Sequence, residues 1–166
     1  MVKSNFDPLA KARHYLTEMR QGIFEDDAGE ILYPYDFEDE IKKSGIGRDR
    51  AFVMLGTSED ELEDFNFLYQ AQRTRISIEE FRRFEAEGNT VPAYMCFLDI
   101  VEFVQSETHG LDEGEALAVI GLDPSEYQAF KARYQPTKDL IDDARADVER
   151  QIEVRRPPPG FDPNLN

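Results

Sequence analysis

Cysteine occurs once in the 166 residues, at Cys96, so no internal disulfide framework is available and a reducing compartment is expected. No apolar run approaches the ~20 residues that a bilayer-spanning helix needs. The start of the chain, Met1-Val2-Lys3-Ser4-Asn5-Phe6, has no apolar stretch of the kind a secretory signal carries. These absences point to a soluble intracellular protein, with the cytoplasm as the expected compartment. Histidine occurs only at His14 and His109, and neither has a second histidine at metal-ligand spacing. No Gly-rich phosphate loop is present, and no serine sits in a nucleophile-elbow context. The expectation is a protein with no catalytic set, no cofactor and no metal.

Basic residues are also scarce: 19 Lys and Arg stand against 35 Asp and Glu, a net charge of −16. Such a chain is repelled by phosphate backbones and anionic membranes, which argues against direct nucleic-acid binding and in favour of protein partners with basic surfaces. Hydrophobic residues make up 40% and charged residues 33%, a globular balance rather than a disordered one.

What the chain does contain is a repeat. Gly45 to Gln70 returns without a gap as Gly110 to Gln135, at a constant offset of 65 (110 − 45). Gly45/Gly110, Ala51/Ala116, Gly56/Gly121, Glu61/Glu126, Phe65/Phe130, Tyr69/Tyr134 and Gln70/Gln135 are identical pairs. Ile46/Leu111, Phe52/Leu117, Leu55/Ile120 and Leu62/Tyr127 keep their apolar character. A core pattern that recurs with its turn glycines is what a duplicated supersecondary unit requires.

Start and stop signals outline an all-α fold. Asp7-Pro8 opens a helix carrying Leu9, Ala12, Leu16 and Met19 on one face, closed by Gly22. Phe24 to Leu32 reads as a turn with extended flanks, and a second helix follows Tyr33-Pro34 and ends near Gly45. A short helix from Arg48 to Leu55 stops at Gly56. Ser58 and Glu61 form a capping box for the helix of Leu62, Phe65 and Tyr69, and Ser77 with Glu80 opens another through Phe81 and Phe84 to Gly88. Pro92 starts a helix rich in Phe97, Ile100, Val101 and Val104. Asp112 with Glu115, and Asp123-Pro124 with Glu126, start the second copy's pair, and Ile141, Ala144, Val148 and Ile152 mark a last amphipathic helix. Eight or nine helices are therefore expected in one all-α domain over 1–154. They fall into two helix-loop-helix units, about 23–88 and 89–154, packed face to face. The Pro-rich tail, 155–166, is expected to be extended.

The repeated unit resembles a helix-turn-helix, but its second helix in the first copy displays Glu59, Asp60, Glu61, Glu63 and Asp64, which a DNA groove rejects. A second resemblance is to the EF-hand family. Thr74 to Phe81 is similar to the end of an EF-hand loop, with Ile76 at the pairing position and Glu80 closing; Phe103 to Ala116 is similar, with Leu111 pairing and Glu115 closing. This resemblance implies paired helix-loop-helix hands. Oxygen ligands belong at loop positions 1, 3, 5 and 12, with glycine at 6. Those places hold Tyr69, Ala71, Arg73 and Glu80 with Thr74 at the bend, and then Val104, Ser106, Thr108 and Glu115 with His109 at the bend. The resemblance is thus to degenerate hands that keep the scaffold without the metal.

The function these features point to is a non-catalytic acidic interaction or scaffold subunit, an adaptor in a larger assembly. Its expected contact residues are Glu59, Asp60, Glu63 and Asp64, with Arg155, Arg156, Phe161 and Leu165 on the tail. Two alternatives stand beside it. One is a small acidic inhibitor that imitates DNA and blocks a basic site, as anti-restriction, anti-CRISPR and immunity-type proteins do; the other is an EF-hand-type calcium sensor. Cys96, in the apolar run Tyr94 to Leu98, reads as a small core residue.

Overall fold

The computed structural model describes residues 7–24 and 34–155, with side chains at all of these except Thr108 and 152–155. Among the described residues there are seven α-helices and no strand. They are α1 (Ala10–Arg20), α2 (Pro34–Lys43), α3 (Arg48–Leu55), α4 (Glu59–Glu87), α5 (Thr90–Val104), α6 (Glu113–Ile120) and α7 (Pro124–Arg155), with a single 3₁₀ turn at Glu107–His109. The all-helical expectation holds. The turn expected between Phe24 and Leu32 lies, beyond Phe24 itself, outside the described residues, as do Arg156, Phe161 and Leu165.

The helix count falls short of eight or nine because two expected breaks do not occur. One helix, α4, runs unbroken through Tyr69 to Glu80, so Ser77 is no N-cap. Nothing between Glu59 and Glu87 stops a helix, for the stretch has neither Gly nor Pro. Ser77 is instead buried and donates its hydroxyl to Asp99 Oδ2 on α5 at 3.0 Å, and Thr74 donates to the Gln70 carbonyl at 2.9 Å. Two polar side chains that resembled turn signals are thus satisfied inside or across the helix. In the same way α7 continues past Pro136, and its last stretch is no separate helix. Ala132, whose carbonyl loses its donor to the proline, is exposed, where water can take that place.

Backbone contacts divide the chain into two units, Met1–Gly121 and Leu122–Asn166. In the first, α4 is the spine. Its opening turns bury Leu62, Phe65 and Tyr69 in a cluster with Leu9 at the α1 N-cap, Leu16 and Met19 of α1, Phe37 and Ile41 of α2, and Phe52 and Leu55 of α3. Farther along, Ile78 and Phe81 are buried where α4 lies against α5, the most extensive packing of any two elements. The α5 helix contributes Phe97, Ile100 and Val101, and α6 contributes Leu117 and Ile120. Each such side chain, fully buried, is worth about 1.5–3 kcal/mol of transfer free energy. Cys96 is buried too, and burial pushes its thiol pKa up, the setting of an inert core cysteine. In the second unit, Leu122, Tyr127 and Tyr134 of the opening turns are buried, and every residue from 139 to 151 is exposed.

Helix bounds follow the sequence offset. Both ends of α3 and α6 lie 65 apart (113 − 48 and 120 − 55), as do the starts of α4 and α7 (124 − 59). Gly56 and Gly121 close the short helices with φ of 67° and 69°, a left-handed conformation that glycine adopts without a Cβ clash.

Candidate docking surfaces

The α4 N-terminus is the first surface the sequence singled out. Ser58 caps it, its hydroxyl accepting from the Glu61 N–H at 3.2 Å. The reciprocal half of the expected box is replaced by a longer-range pair. Arg20 Nε and Nη2 donate to both Glu61 oxygens at 2.7 and 2.8 Å, and Nη2 also donates to the Gly56 carbonyl at 2.7 Å. Arg20 thereby ties the ends of α1 and α3 to the start of α4, and its hydrogen bonds to the carboxylate lower the Glu61 pKa.

Glu59 is likewise engaged. Arg48, lying over the Phe52 ring at 4.4 Å, donates to Glu59 at 2.9 Å and to Glu38 at 2.7 Å, and its proximity lowers the Glu59 pKa. Asp60, Glu63 and Asp64 are exposed. Carboxylates in this place also complement the positive end of the helix dipole, so part of the acidic row serves α4 itself. Arg155 ends α7, its side chain lying outside the described ones.

The second surface is the far half of α7, where the expected buried face is exposed. Leu140 is 71% exposed, Val148 55% and Ile141 37%, with Ala144 between them, and Ile152 lies outside the described side chains. Positions 140, 141, 144 and 148 share one helical stripe. Arg145 and Glu149 border it and, with the apolar four, line a shallow groove. Two of the carboxylates on this stretch are paired locally, Lys138 donating to Asp142 at 2.6 Å and Arg150 to Asp147. The sequence carried the apolar spacing but could not show that no other described element of the chain covers it.

A third feature went unread in the sequence, because its residues come from three helices and no local motif links them. A cleft of about 420 Å³ lies among α2, α4 and α5. Tyr35, Tyr69 and Phe103 give it aromatic walls; Arg73, Asp99 and Glu102 give it charge. Beside it, His109 sits against Phe67 and Phe103, with ring centroids 4.9 and 5.4 Å away, and its Nε2 is 2.9 Å from Gln70 Oε1. Desolvation lowers its pKa, so the ring is an uncharged packing element near neutral pH.

Among the described residues no three His, Cys, Asp or Glu side chains gather as a metal-binding group, and no helix is long and apolar enough to cross a membrane. Comparison with protein-family models, with curated proteins and with solved structures finds no match.

Proposed function

We propose that the protein is a non-catalytic interaction subunit, an acidic helical adaptor whose far α7 stretch docks on a partner. The supporting observation is the exposed Leu140, Ile141, Ala144 and Val148 stripe on a helix whose residues 139–151 make no burying contact. A helical stretch of about 12–15 residues that packs on nothing is marginal in water, and helical stability in proteins comes mostly from packing of an apolar face. An apolar stripe edged by charge is the form in which one helix presents itself to another protein's groove. The net charge of −16 favours a basic rim on that partner.

The inhibitor reading needs rows of available carboxylates, and the engagement of Glu59 and Glu61 with Arg48 and Arg20 favours the adaptor over it. The unbroken α4 across Tyr69 to Glu80 also favours the adaptor over a calcium sensor. On this reading the 65-residue correspondence of α3 and α4 with α6 and α7 is a duplicated unit, of which the first copy was kept for the core and the second turned to contact.

A photo-crosslinking residue at position 148, used in extract of the source organism, tests the proposal. A discrete crosslinked partner that disappears in a Leu140→Asp, Ile141→Asp variant is the expected result. Free monomer alone, with and without the two substitutions, counts against it.

A further inference from the structure

The cleft among α2, α4 and α5 has an unequal charge balance. Asp99 and Glu102 stand on one face of α5, three residues apart, and Arg73 is the one cation among its described lining residues. Asp99 Oδ2 accepts from the buried Ser77 hydroxyl at 3.0 Å, which fixes one carboxylate in place. Two negative charges against one positive, within a chain of net charge −16, disfavour a phosphate or carboxylate ligand. Tyr35, 69% exposed, supplies an open π face beside those carboxylates, and the buried Tyr69 and Phe103 rings form the apolar base of the cleft, the combination that holds an organic cation. About 420 Å³ has room for an alkyl chain with its charged head.

We propose that this cleft is a socket for an alkylammonium or guanidinium group. The group comes either from a free amine or from a Lys or Arg side chain of a protein; the second source rests on the adaptor reading, the first does not.

The probes are agmatine, spermidine and the peptide acetyl-Gly-Arg-Gly-amide, titrated into the full chain by calorimetry and by amide NMR. Binding shifts amide signals of Asp99, Glu102, Phe103 and their neighbours. Glu102→Gln and Asp99→Asn each weaken it about fivefold, the upper end for a partly exposed ion pair. The second variant keeps an oxygen that can accept from Ser77. Arg73→Gln, which removes the opposing charge, tightens binding, and a Glu63→Gln, Asp64→Asn control leaves it unchanged. Tighter binding of agmatine or spermidine assigns the socket to a free amine, and tighter binding of the peptide to a protein side chain. Failure of all three probes to bind at millimolar concentration overturns the proposal, as do shifts spread over every acidic face or an unchanged affinity in Glu102→Gln.

Discussion

The long helices α4 and α7 begin alike and end differently. Each comes after an eight-residue helix closed by a left-handed glycine, starts at a side-chain cap, and buries an aromatic-rich first stretch, Leu62, Phe65 and Tyr69 in one and Tyr127 and Tyr134 in the other. Beyond Tyr69, α4 goes on burying Ala71, Ile78 and Phe81; beyond Tyr134, α7 buries nothing among its described side chains. What covers α4 is the chain just past it. Gly88 turns it so that α5, with Phe97, Ile100 and Val101, returns along α4. No turn within the described residues brings a helix back along α7. A cap and an aromatic start set where a helix begins, and only a neighbour determines which of its faces is core.

The comparison can be broken most forcefully at Phe81. Phe81→Ala is expected to cost about 3–5 kcal/mol in urea denaturation, whereas Ile141→Ala on α7 stays within about 0.5 kcal/mol. Next come the paired glycines. A Cβ at Gly56 or Gly121 meets no heavy atom within 4 Å, so Gly→Ala at either position costs only the left-handed backbone term, about 1–2 kcal/mol, and the two values should agree. Ser58→Ala removes the α4 cap for about 1 kcal/mol.

The smallest effect is at Arg20. Because its hydrogen bonds lower the folded pKa of Glu61, the pair's contribution is present above the ordinary glutamate value of 4.5 and is lost as pH falls through the lowered one. The pair is partly solvent-exposed, so Arg20→Met costs about 0.5–1 kcal/mol near neutral pH, less in high salt. It also flattens the acid limb of the stability profile. Amide hydrogen exchange sharpens the contrast without mutation: residues 139–151 should exchange faster than residues 74–84, even though both stretches are helical.

Much of the fold was legible because its signals are local. Gly56, Ser58, the reciprocal Asp112 and Glu115 box, Gly121 and Asp123-Pro124 each act within a few residues, and the helices begin and end at them; α1 starts later than Asp7-Pro8, at Ala10 with Leu9 at its N-cap, and Asp7 Oδ1 accepts from the Leu9 N–H at 3.0 Å in the turn before it. The departures come from the same vocabulary. Ser77-x-x-Glu80 has the spelling of a capping box, but a cap forms only where the backbone already departs from helical geometry, and an uninterrupted run of helix formers gives it no reason to depart. Pro136 has the spelling of a break, yet a helix whose freed carbonyl faces water can run through it. The candidate surfaces were legible only in part. The acidic row on α4 was visible, but its engagement with Arg20 and Arg48 depends on contacts across 41 and 11 residues. The cleft, assembled from positions 35 to 106, leaves no mark in any short window.

The α1 helix is held by its apolar face, Ala12, Leu16 and Met19 with Leu9 at the N-cap, by Lys11 donating to Glu40 on α2, and by the Arg20 guanidinium fastened to two other helix ends. It therefore behaves as a ligand that the chain carries for itself. Supplied as a separate peptide to a chain lacking it, the segment should rebind and restore cooperative unfolding, which would make this part of the protein a natural point for splitting it into two complementing pieces.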